Sequence, residues 1–156
     1  MLARNSGNGF VDVSAGSGSV LNERWAARGM AIGDIDNDGC LDAIVTTNDG
    51  PAYILHNECA TGNHWLTLSL VGKKSNRDGI GAEIEVITAK GRQFATVSTA
   101  SRYLSSSDKR VHFGLGTETI AQIEIRWPSG IVQTLANVRA DQILRVDETE
   151  QGKARN

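Results

Sequence analysis

The sequence predicts an all-β, antiparallel fold, and three observations carry that reading. Apolar and polar residues alternate with a period of two in several separate stretches. Clusters of Gly, Asn, Asp and Pro punctuate the gaps between those stretches. The segments with helical character, "LNERWAARG" and "VRADQ", are each long enough for one turn and too short for a stable helix alone.

In chain order, "GFVDVSA" alternates Phe10 with Asp12 and reads as a short accessory strand. "HWLTLSLV" puts Leu66, Leu68 and Leu70 on one face and Trp65, Thr67 and Ser69 on the other. Ala82, Ile84 and Val86 oppose Glu83 and Glu85, and Val111, Phe113 and Leu115 oppose His112. Ala121, Ile123, Ile125 and Trp127 oppose Gln122, Glu124 and Arg126, so Trp127 continues an apolar face and reads as a core residue, with an exposed binding platform as the alternative. The intervening "NDGP", "KKSNRDG", "AKG", "GLGTE" and "PSG" are turns. Asn76, Asp78, Gly79 and Gly81 in "NRDGIGA" are turn formers; the functional alternative has Arg77 and Asp78 facing a ligand.

Composition limits what such a chain can do. With 156 residues, 40% of them hydrophobic, it can build one ordinary domain or two small ones. Sixteen Lys and Arg against 18 Asp and Glu leave a net charge of -2, so there is no global basic field for nucleic acid or anionic lipid. No apolar run approaches the ~18 residues of a membrane span, and "MLARNSGNGF" lacks the apolar core of a signal peptide, so neither membrane insertion nor an export signal is expected within this chain. A change of character at "NECATGN" divides the chain into an aspartate-rich unit, 1–62, and a unit of longer alternating strands, 63–148, with 149–156 a disordered tail. A unit of this first size would bury only ~60% of its unfolded surface and must lean on something else.

The densest chemistry lies in "DIDNDGCLD". Asp34, Asp36, Asp38 and Asp42 occupy loop positions 1, 3, 5 and 9, a spacing that turns alternate side chains toward one centre. Gly39, at position 6, can take the positive φ of a sharp reversal. Carboxylates this close repel unless a hard cation stands among them, and Ca²⁺ takes six to eight oxygens at about 2.3–2.6 Å. The expected metal ligands are therefore the side chains of Asp34, Asp36, Asp38 and Asp42 with the backbone carbonyl of Cys40, and the expected cofactor is Ca²⁺. The loop is no EF-hand: position 12 is Val45, and strands flank it.

These residues carry a resemblance. "GMAIGDIDNDGCLDAIVTTNDGPAYILHNE" resembles an FG-GAP/VCBS repeat, the calcium-loop blade of integrin-like β-propellers. "NHWLTLSLVGKKSNRDGIGAEIEV", "YLSSSDKRVHFGLG" and "IEIRWPSGIVQTLANVRADQILRV" resemble the ASPIC/UnbV domain that follows such repeats in the cartilage acidic protein family. The resemblance implies one propeller-blade-like unit packed with a small β-sandwich or barrel-like domain. The family has several blades where this chain has about one, and a lone four-stranded blade leaves an edge to cover. The uncharged segment "AYILH" is that edge, and its expected cover is "GFVDVSA", the ASPIC/UnbV-like half, or a second copy in a homodimer.

Two cysteines in an exported β protein suggest one disulfide. A hairpin loop "TTNDGPA" centred between Asp49 and Gly50 makes Cys40 face Cys59 as a non-bonded pair with Cα atoms about 4.5 Å apart. The alternative, two buried free thiols, follows if a one-residue bulge shifts that register. No catalytic residue is expected: His56, His64 and His112 sit in no nucleophile signature, Ser105, Ser106 and Ser107 read as strand end or loop, and His56 with Cys59 lacks the second pair of a zinc site. The expectation is a calcium-binding, non-catalytic interaction module of an extracellular, periplasmic or cell-surface protein, contacting a protein or carbohydrate. The competing expectation is the terminal part of a propeller enzyme whose catalytic residues lie in other blades.

Overall fold

The computed structural model describes residues 1–59, 62–100, 103 and 105–149. Of the expected tail, 149–156, all but Thr149 lies outside them. Among the described residues, twelve strands account for nearly all regular structure: β1 (Ala3–Asn5), β2 (Phe10–Asp12), β3 (Ala27–Gly33), β4 (Asp42–Thr47), β5 (Tyr53–Leu55), β6 (His64–Val71), β7 (Glu83–Thr88), β8 (Gly91–Thr96), β9 (Val111–Gly116), β10 (Ile120–Arg126), β11 (Val132–Arg139) and β12 (Gln142–Asp147). The fold is all-β, as the alternation predicts.

The core lies between a four-stranded sheet, β11-β10-β7-β8, and a three-stranded sheet, β12-β6-β9, which face each other as a sandwich rather than closing into a barrel. Leu66, Leu68, Ile84, Val86, Ile123 and Ile125 are fully buried in one cluster, each on the apolar face that alternation assigns it. Burying side chains of this size contributes roughly 1.5–3 kcal/mol apiece. Trp127 is a core residue, buried with its indole N–H donating to Gln133 Oε1 at 3.0 Å. Pairing is antiparallel with one exception: β12 runs parallel to β6, with Leu144 opposite Leu68 and Val146 opposite Leu70. The parallel register lets Val146 reach the core while the preceding β11 stays in the other sheet.

Glu148, just past β12, is the most buried charged residue among those described, at 1% exposed. Its Oε2 accepts from the backbone amides of Lys73, Lys74 and Ser75 at 2.6, 2.8 and 2.8 Å, and its Oε1 accepts from the hydroxyls of Ser75 and Ser129. Burial, the largest single influence, pushes this carboxyl's pKa up, yet these donors together outweigh it and hold the pKa at about 2. One carboxylate thus organises the "KKSNRDG" turn and ties it to the "WPSG" turn.

The aspartate-rich part forms a three-stranded sheet, β3-β4-β5, and a separate hairpin, β1-β2. Several expectations are corrected here. "VRADQ" makes no helical turn: β11 ends at Arg139, and a tight turn with Asp141 at φ 58° leads directly into β12. In "LNERWAARG" a 3-10 turn spans Ser19–Asn22, and the chain then extends into β3. "GFVDVSA" does not cover "AYILH"; Phe10–Asp12 pairs with Ala3–Asn5, and β5 keeps one unpaired edge among the described residues. Cover from the second half falls on the opposite edge, along β3, where Ser105 and Ser107 hydroxyls accept from the amides of Met30 and Ile32, and the Asp108 amide donates to Ile32 O. The first sheet therefore has three strands of its own, and segment 105–108 lies along its β3 edge.

The β4–β5 register is shifted by one residue from expectation: Ala43 pairs with Leu55, Ile44 with Ile54 and Val45 with Tyr53. Asp49 adopts a left-handed φ of 57°, and the Thr47 hydroxyl donates to Pro51 O at 2.9 Å, so the loop holds an odd residue at its centre. Cys40 and Cys59 are consequently not ladder partners. They are nonetheless joined by a disulfide across the strand ends, with Cα atoms 5.9 Å apart.

Candidate metal centre in the acidic loop

The loop between β3 and β4 curls because two of its residues take left-handed φ values, Asn37 at 63° and Gly39 at 91°. Asp34, at the exit of β3, is buried and organises the curl: Oδ1 accepts from the Asp38 amide at 3.1 Å and Oδ2 from the Gly39 amide at 3.0 Å. Asp38 Oδ1 in turn accepts from the Cys40 amide at 2.7 Å. Asp42, the first residue of β4, is buried as well; it accepts from the Ile35 amide at 3.0 Å and the Asn57 amide at 2.9 Å, and lies 3.1 Å from His56 Nδ1. Burial is the strongest single influence on the Asp42 carboxyl and raises its pKa, but the Ile35, Asn57 and His56 bonds together lower it below the usual carboxylate range.

Asp34, Asp36 and Asp38 each direct one carboxylate oxygen to a common point, with those atoms within 4.8 Å of one another. Asp36, Asp42 and His56 form a second set on the same criterion, so Asp36 links the two. Oxygens on opposite sides of a calcium ion at ~2.4 Å are about 4.8 Å apart, so the first set has the donor chemistry and compactness of a hard-cation site. Asp34 and Asp42 are buried, Asp36 and Asp38 exposed. Cys40 is held by the hydrogen bond its amide donates to Asp38 Oδ1 and by its disulfide to Cys59.

Two residues that the sequence reading does not connect to the loop bear on it. His56 stands opposite Asp42 as a continuation of the observed β4–β5 register, so the one-residue shift that separates the cysteines also brings this imidazole to the carboxylate. Arg110 reaches in from the start of β9, donating from Nη2 to Asp34 O at 2.7 Å and from Nη1 to Asn37 Oδ1 at 2.6 Å. No local pattern points to it, because it lies 76 residues from Asp34. Beside it, His112 stacks against Trp65 and pairs its Nδ1 with Thr67 Oγ1 at 3.0 Å. Burial lowers the His112 pKa, against an opposing pull from Asp34.

Fold and site together define an all-β sandwich protein with an acidic loop docked against one of its sheets. The chain belongs to the ASPIC and UnbV family, whose profile matches residues 72–153. It is similar to cartilage acidic protein 1 of Mus musculus and of Homo sapiens, in each case 23% identical over 152 residues, covering 94% of this chain and 23% of the relative. Against cartilage acidic protein 1 of Xenopus tropicalis it is 29% identical over 110 residues, covering 68% of this chain and 17% of the relative. The chain thus spans 23% or less of the length of these relatives. Arg110 and Glu148 fall inside the family match, and the acidic loop falls outside it.

Proposed function

We propose that this chain is a calcium-binding, non-catalytic interaction module of an extracellular or cell-surface protein, in which 1–62 is an FG-GAP/VCBS-like blade and 63–148 the ASPIC/UnbV-like domain. The observation that carries the reading is the convergence of Asp34, Asp36 and Asp38 within 4.8 Å in a loop whose backbone is already curled by Asn37 and Gly39. When bound, calcium would neutralise carboxylates that otherwise repel, with Asp34, Asp36, Asp38 and Asp42 as side-chain ligands and Cys40 contributing its carbonyl. The Cys40–Cys59 disulfide supports an oxidising location. No described helix is long and apolar enough to cross a membrane. The unpaired edge of β5, with Ile54 68% exposed, is where a strand of a protein partner or of a second copy would add, while a carbohydrate would engage the exposed sheet faces.

Titration calorimetry of the metal-free chain with CaCl₂ tests the reading. Saturable binding that is lost in the Asp34→Asn, Asp36→Asn double variant is expected. Absence of calcium binding by wild-type protein at millimolar calcium, the weak end for extracellular sites, overturns it.

A further inference from the structure

The acidic loop is gripped from two sides by the second half of the chain, and neither grip bonds to a carboxylate oxygen of Asp34, Asp36, Asp38 or Asp42, whose hydrogen bonds go to backbone amides of the loop, to the Asn57 amide and to His56. On one side, Arg110 holds the Asp34 carbonyl and the Asn37 side-chain oxygen, while its Nε donates to Asp108. Asp108 belongs to the segment that runs along β3, its amide bonded to Ile32 O at 2.9 Å and its Cβ packed against Gly33. On the other side, the Gly39 backbone lies so close to the Trp65 indole that a Cβ there would come within 1.9 Å of Cε2. Both grips require the loop to be curled. The carbonyl of Asp34, the side chain of Asn37 and the bare Cα of Gly39 face Arg110 and Trp65 only while Asn37 and Gly39 keep their left-handed φ.

We infer that the loop is a cation-controlled latch between the first sheet and the sandwich, with Arg110 as its positioning residue. This rests on the calcium reading above. With calcium bound, the carboxylates are drawn together, the curl is held, and segment 105–110 stays on the β3 edge. Without it, repulsion among Asp34, Asp36 and Asp38 favours opening of the curl, which removes the acceptors of Arg110 and loosens that segment from Met30 and Ile32. Linkage makes the effect reciprocal: calcium that strengthens the Arg110 grip is itself bound more tightly, by the same factor, while the grip is made.

Amide hydrogen exchange on the full chain, with CaCl₂ and with excess chelator, tests the latch. In wild type the amides of Met30, Ile32 and Asp108 are expected to exchange roughly tenfold more slowly with calcium, an effect typical of coupled sites. In Arg110→Ala calorimetric calcium binding is expected to persist with affinity weakened roughly tenfold while the calcium effect on Asp108 and Ile32 disappears, and Arg110→Lys, which keeps the charge and loses the fork, should restore both only in part. Should Arg110→Ala not fold, the wild-type comparison and Arg110→Lys still decide. Calcium binding by wild type with unchanged exchange at all three amides overturns the latch and leaves the calcium site standing; no calcium binding at all removes the site itself.

Discussion

Gly39 and Trp65 are in direct contact across the seam: the glycine Cα rests on the indole, and a Cβ built on it falls 1.9 Å from Cε2 and 2.1 Å from Nε1. The position is doubly restricted, since Gly39 also has a φ of 91°. Gly39→Ala should therefore cost more than the ~1–3 kcal/mol of left-handed strain alone. Chemical denaturation of Gly39→Ala in wild-type and Trp65→Ala backgrounds checks this; the penalty should shrink when the indole is gone.

Glu148 makes stability depend on acid pH. Its carboxyl has a pKa of about 2 in the folded protein against an ordinary value of 4.5, so the unfolded chain takes up the proton first as pH falls. The stabilisation, about 3 kcal/mol, is complete above pH ~4.5 and is lost as pH drops from there through about 2. Glu148→Gln should be destabilised at pH 7 and should show a flatter stability profile between those limits, measured by urea denaturation at stepped pH.

Asp36 and Asp42 should separate metal binding from folding. Asp36 is exposed, so Asp36→Asn should change stability in chelator by less than ~0.5 kcal/mol while weakening calcium roughly tenfold or more. Asp42 is buried under donors from Ile35, Asn57 and His56, so Asp42→Ala should cost ~1–3 kcal/mol even without metal, by leaving buried amides unpaired. Calorimetry and denaturation in chelator, run on both variants, distinguish the two outcomes.

Calcium itself should raise the melting temperature. At 100 times Kd, binding to the native state alone contributes about 2.7 kcal/mol. A scan with excess chelator, followed by one with calcium restored, measures the shift, which should vanish in Asp36→Asn at calcium concentrations near the wild-type Kd.

The Cys40–Cys59 bridge closes a loop with a sequence separation of 19 that includes β4 and β5. Cross-linking a loop of this length stabilises by about 3 kcal/mol in the chain-entropy account. Reduction, or the double substitution Cys40→Ala, Cys59→Ala, should lower the denaturation midpoint by a corresponding amount. Calcium affinity should fall as well, since Cys40 lies inside the acidic loop.

Features set by a few neighbouring residues were legible in the chain. Alternation at a period of two placed Leu66, Leu68 and Leu70, and likewise Ile123, Ile125 and Trp127, on the faces that are buried, because strand geometry converts spacing directly into sidedness. The run of aspartates with Gly39 among them was legible for the same reason: the carboxylates that converge are two residues apart, and the positive φ that curls them falls at a residue suited to it. Pairing partners were decided only by the tertiary structure. A period of two is the same for parallel and antiparallel neighbours, so the docking of β12 alongside β6 depended on which arrangement buries Val146, and the β4–β5 register turned on one left-handed residue, Asp49, in a loop that the pattern leaves free. Glu148 meeting the amides of 73–75, and Arg110 meeting the carbonyl of Asp34, join residues more than 70 positions apart, and no local signal marks them, because a buried carboxylate or a guanidinium takes its partners from whatever the packed sheets bring within reach.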